Sequence, residues 1–152
     1  MDITAATKMA NELMGQHLSS DWRFVLDNAR TRGGECNGMK HTISMSRNLI
    51  PLWSEEDVRE TLLHEIGHAL AGTREGHNHA WKAAVRSIGG HPSRTHDKEV
   101  VQGRWKFVCP NGHAHYKHRR PAYNRRPSSC AKCSPVFDSR YLFRVEDTLT
   151  AA

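Results

Sequence analysis

Apolar residues recur three and four apart from the start of this chain: Ile3, Ala6, Met9, Ala10, Leu13, Met14 and Leu18. That spacing predicts an amphipathic helix over about residues 3–18, a folded element and not a secretion signal. Two short extended segments follow, Asp21-Trp22-Arg23-Phe24-Val25-Leu26 and a strand near Lys40 to Ser46, separated by a Gly-rich turn region from Arg32 to Gly38. Pro51-Leu52-Trp53 then leads into a second helix. Ser54 is its N-cap, Glu55, Glu56 and Asp57 sit in its first turn, and Val58, Leu62, Ile66, Ala69 and Leu70 fall on a core-facing stripe. It should stop near Gly72 to Gly76, and Trp81 to Gly89 reads as a third helix. Gly89-Gly90-His91-Pro92 opens a polar linker. Beyond it, Trp105-Lys106-Phe107-Val108 and Tyr141-Leu142-Phe143-Arg144-Val145 read as short strands.

The expected class is therefore α+β. Its organisation is a domain over residues 1–90, a linker over 91–103, a small module over 104–145 and a flexible tail over 146–152. A chain of 152 residues suffices for one compact domain and a small metal-stapled module. With 38% hydrophobic residues the core is modest, and no apolar run approaches a membrane span. The chain is expected to be a cytoplasmic monomer, nucleoid-associated or, in a eukaryote, nuclear. Its four cysteines should then be reduced.

The second helix carries His64-Glu65-Ile66-Gly67-His68. Residues four apart share a helical face, so His64 and His68 can offer two imidazoles to one Zn2+. Glu65 between them can take a proton from water as a general base. Gly67 costs helix propensity, which fits a need for backbone or substrate to come close to the metal face. A catalytic zinc needs a third protein ligand. His77, after Gly76 and ahead of the Trp81 helix, is the best candidate, with His79 as its rival.

Three cysteines gather further on. Cys130 and Cys133 form a CxxC pair, and Cys109-Pro110-Asn111-Gly112-His113 supplies two more ligands around a tight turn. Cys109, His113, Cys130 and Cys133 make a structural zinc site, with His115 or His118 as alternatives in the fourth position. Ligand turns flanked by strands describe a zinc ribbon, and a segment this poor in apolar residues needs such a staple. Cys36 stands apart, as a small buried residue in a loop after Gly33-Gly34.

Charge is unevenly spread. Residues 1–90 hold 10 Lys+Arg against 11 Asp+Glu, whereas residues 91–152 hold 12 against 5. Lys117, Arg119, Arg120, Arg125 and Arg126, with Tyr123 to stack on bases, form a basic loop suited to phosphate backbones.

Taken in order, Arg32-Gly33-Gly34-Glu35-Cys36, His41 to Arg47, Leu62 to Leu70 and Gly76-His77-Asn78-His79-Ala80-Trp81-Lys82 resemble the SprT-like metalloprotease family (Spartan-related). The resemblance spans roughly Trp22 to Gly90, and the ribbon-like segment extends it to about Arg144. Asn78 replaces the family's glycine after the third ligand, a mild departure because Asn tolerates left-handed backbone. Met45 replaces a strand leucine. The resemblance implies a zincin-like domain in which His64, His68 and His77 hold a catalytic Zn2+ and Glu65 is the base, followed by a ribbon with a structural Zn2+. It implies hydrolysis of proteins bound or crosslinked to DNA, single-stranded or distorted. The strand near Ile43 to Ser46 is offered as the edge that an extended substrate would join. Two alternatives stand beside this reading: an ImmA/IrrE-type protease that cuts a repressor, and a non-enzymatic zinc-containing DNA-binding adaptor.

Overall fold

The computed structural model describes residues 1–92, 101–119 and 127–149. The chain is mixed α+β and divides into two compact units, Met1–Val101 and Gln102–Ala152. Among the described residues, no helix is long and apolar enough to cross a membrane.

The first unit begins with α1 (Ile3–His17), capped by Asp2, whose side chain accepts from Ala5 N at 3.0 Å. Ala6, Ala10, Leu13 and Met14 turn inward from it. Next come β1 (Arg23–Asp27), β2 (Gly34–Asn37) and β3 (Thr42–Ser46). A 3-10 turn at Ile50–Leu52 leads to α2 (Glu55–Ala71), and α3 (His79–Ser87) follows. The sheet order is β1-β3-β2, with β1 parallel and β2 antiparallel to β3. Ile43 and Met45 of β3 share a fully buried core with Leu49, Ile50, Val58, Leu62, Leu63 and Ile66. Each such side chain contributes on the order of 1.5–3 kcal/mol by leaving water.

Four expectations change. The Gly-rich stretch is not only a turn: residues 34–37 form β2, and Cys36 lies in that strand opposite Ile43. β3 is the central strand, so both its edges are occupied and it is not the edge for a substrate. Leu70 is 44% exposed, and Leu63 is buried in its place because α2 is covered by α1, the sheet and α3 on a wider arc than one stripe. Asn78 has φ −76°, so it does not stand in for a left-handed glycine; it is the N-cap of α3 and accepts from Trp81 N at 3.1 Å.

α2 starts and stops as its sequence predicts. Ser54 accepts from Asp57 N at 3.1 Å while the Asp57 carboxylate reaches back to Ser54 N, a reciprocal capping box. Gly72 ends the helix with φ +97°, a conformation that a side chain resists.

The second unit is a three-stranded antiparallel sheet in the order β5-β4-β6, made of β4 (Trp105–Val108), β5 (Ala114–Lys117) and β6 (Arg144–Asp147). β5 was not expected. Its four residues carry no β-branched side chain, and it is set by its pairing with β4, Phe107 opposite His115. β6 extends two residues into the expected tail, and Asp147 takes a two-pronged hydrogen bond from Arg104 at 2.7 and 2.6 Å. Residues 93–100 of the expected linker and 150–152 of the tail lie outside the described residues.

Candidate metal centre

Helical spacing places His64 and His68 one turn apart on α2. The segment between α2 and α3 returns His77 to them, held at its far side by Asn78 capping α3. The three Nε2 atoms form a triangle with sides of 3.3, 3.3 and 3.0 Å. Three neutral imidazoles facing one point cannot all donate and accept there, so lone pairs must converge. Tetrahedral Zn–N bonds of about 2.0–2.1 Å would put such nitrogens roughly 3.3–3.4 Å apart. The donor set and spacing therefore fit one such ion. Burial, and then the neighbouring His77, lowers the His68 pKa to about 4, so its imidazole is neutral and able to ligate near pH 7. His79, the rival ligand, lies outside this cluster and is exposed at the first turn of α3.

Trp81 is fully buried beneath the triangle. Its ring centre lies 4.7 Å from His64, 5.3 Å from His68 and 4.5 Å from His77. Its Nε1–H donates to the His64 carbonyl at 3.3 Å. The sequence placed Trp81 on a helix beside the third histidine but did not show that one indole would touch all three imidazoles. Gly67 faces the same helix, not open space: a Cβ there would lie 2.3 Å from Val85 Cγ2. Its role is close packing of α3 on α2, which replaces the expected approach of substrate.

Glu65 turns away from the apolar stripe toward β2 and is only 8% exposed. Burial pushes its pKa up to about 7, against a hydrogen bond from the Cys36 backbone and the attraction of Arg32, both of which lower it. A carboxylate poised there can exchange a proton near neutral pH. Cys36 packs against the core, and burial, then Glu65 and Glu35, push its thiol up to about 12. A thiol so disposed is inert. On the other side of the sheet, Asp27 accepts from Ala29 N, Ser44 Oγ and Arg32.

In the second unit Cys109, His113, Cys130 and Cys133 bring four ligand atoms together within 4.8 Å. Cys109 and Cys133 sulfurs are 3.8 Å apart, and His113 Nδ1 lies 3.3–3.6 Å from the three sulfurs. Tetrahedral zinc with Zn–S of about 2.3 Å would give roughly 3.8 Å between sulfurs, so these residues also fit. Two tight turns build the set: Gly112 N donates to Cys109 O, and Cys133 N donates to Cys130 O. Burial raises the Cys109 thiol, but N–H groups of His113 and Asn111 and the neighbouring thiols outweigh it and lower its pKa. His115 is not part of the cluster; it stacks on Phe107 at 4.9 Å, and His118 is also outside it. All four cysteines are free of disulfides.

Of the basic residues singled out, Lys117 ends β5 with its Nζ 4.7 Å above the Phe107 ring, and Arg119 is exposed. Arg120, Tyr123, Arg125 and Arg126 lie outside the described residues.

Compared with known proteins, the chain matches the model of the SprT-like family over residues 3–100. That span contains the three histidines and Glu65 and stops before the cysteine cluster. No curated protein matches the chain.

Proposed function

The chain belongs to the SprT-like family, a metallopeptidase-like family, and from that premise we propose that it is a zinc-dependent endopeptidase with a zincin-like catalytic domain. The observation that carries this is the convergence of three imidazole nitrogens within 3.0–3.3 Å, with a buried carboxylate, that of Glu65, on the helix that supplies two of them. His64, His68 and His77 would hold the ion. Bound there, zinc would polarise a peptide carbonyl and make a nearby water more acidic. Glu65 accepts the proton of the attacking water and returns it to the leaving amine. Its burial keeps competing water away and holds its basicity near the working pH.

In this reading the second unit closes a structural zinc site with Cys109, His113, Cys130 and Cys133 and contacts DNA. Support comes from the charge: the 12 Lys+Arg against 5 Asp+Glu of residues 91–152 contrast with the balanced first part. The substrate class proposed is protein bound or crosslinked to single-stranded or distorted DNA.

The test is cleavage of a histone by the zinc-loaded chain, with and without single-stranded DNA, beside Glu65→Gln. Glu65→Gln is expected to keep its zinc and lose about 10²–10⁴-fold in rate. Cleavage that persists in Glu65→Gln sinks the protease mechanism. Cleavage that needs Glu65 but ignores DNA keeps the protease and removes the DNA-linked substrate.

A further inference from the structure

Gly34 and Glu65 meet where β2 packs on α2. A Cβ added to Gly34 would lie 2.9 Å from Glu65 Cγ, 3.1 Å from its Oε1 and 3.2 Å from the Ser44 carbonyl. The first separation is shorter than carbon atoms tolerate, so a methyl group at 34 must displace the glutamate side chain or the strand. Nothing local explains glycine at 34. It has no positive φ, and at the first position of β2 most other residues would pair as well or better. Glycine in a strand can instead mark a close approach, and here it does. Its neighbour Gly33 meets a different group, since a Cβ there would lie 2.3 Å from Trp53 Cη2. The two glycines therefore admit different partners, a core ring and the buried carboxylate.

We propose that Gly34 is a positioning residue for the reaction: its bare Cα forms a main-chain seat that fixes where the Glu65 side chain, and so its carboxylate, sits. This rests on the reading of Glu65 as the general base. A side chain at 34 moves the base without touching the three histidines, so it separates proton transfer from metal binding. Glutamate has enough rotatable bonds to reach several positions. The seat selects one of them.

The experiment uses the full zinc-loaded chain and its variants Gly34→Ala, Glu65→Ala and the two combined, with Gly33→Ala made in both the parent and the Glu65→Ala background. Cutting Glu65 back to alanine removes Cγ and the carboxylate, the atoms that a methyl group at position 34 would strike. Gly34→Ala is expected to keep full zinc content and a KM within about twofold of the parent, with kcat down about 10- to 100-fold. Its loss of melting temperature should fall by about half or more beside Glu65→Ala, a coupling between the two positions. Gly33→Ala should lose the same amount in both backgrounds. Equal losses for Gly34→Ala in both backgrounds overturn the seat, as does an unchanged kcat. Should Gly34→Ala not fold, recovery of a folded double variant supports the seat and its failure overturns it. The melting data do not depend on catalysis. An active Glu65→Gln would remove the base assignment while leaving the coupling to be read on its own.

Discussion

A single indole underlies the candidate metal centre. Trp81 contacts His64, His68 and His77 and ties its N–H to the backbone of His64, so it sets the tilt of all three rings at once. Trp81→Ala should cost about 3–5 kcal/mol of stability and weaken zinc binding about 10- to 100-fold. Trp81→Phe, which keeps an aromatic floor but loses the N–H, should fall between. Calorimetric melting and competitive zinc titration would check both. Asp27 gives a pH-dependent counterpart. Burial raises its carboxyl pKa, but the Ala29 N–H, the Ser44 hydroxyl and Arg32 prevail and hold it below the ordinary 3.8. A depressed folded pKa stabilises above the unfolded value, and that gain disappears as pH falls through the folded one. Asp27→Asn should therefore melt below the parent at pH 7, and the two curves should converge as pH drops below about 4. A gap that stays constant down to about pH 2 would show that Asp27 acts without its charge.

Which elements could be read before any coordinates depended on whether local pattern or distant packing specified them. α1 and α2 carry their own caps and apolar spacing, and β3 and β4 carry apolar residues at alternate positions, so they were legible. β2, Gly34-Glu35-Cys36-Asn37, has no such pattern; it is a strand because Gly34 fits against Glu65 and Cys36 packs on the core. The paired glycines were the visible signal, and they read as a turn because a turn is their commoner cause. The same distinction holds within the site. Spacing brought out His64, Glu65, His68 and His77, but the seat under Glu65 and the floor under the imidazoles are contacts between elements, which spacing does not encode. Gly67 belongs to this second kind. As a helix residue it should gain up to about 1 kcal/mol from Ala, but the new methyl group would press on Val85, and overpacking costs about 1–3 kcal/mol. Gly67→Ala should therefore lower the melting temperature, and Val85→Ala in the same chain should restore part of it. A stabilised Gly67→Ala would mean that α3 yields easily.

At the scale of the whole molecule, the two compact units each carry their own candidate ligand set, and the family match covers only the first of them. The sets differ in one element: three of four ligands in the second unit are sulfur, and none of those in the first is. The remaining cysteine, Cys36, is half-buried with its thiol pushed up to about 12, which keeps it from reacting as a thiolate. Peroxide therefore finds its ligating thiols in the second unit. Oxidised thiols no longer ligate, and the second unit would release its zinc while the imidazole site kept its own. Mild peroxide treatment of the doubly loaded chain should free about one equivalent of zinc, restored by a reducing agent. In a cell under oxidative stress, such a chain would keep the metal of its imidazole site and lose the staple of its second unit.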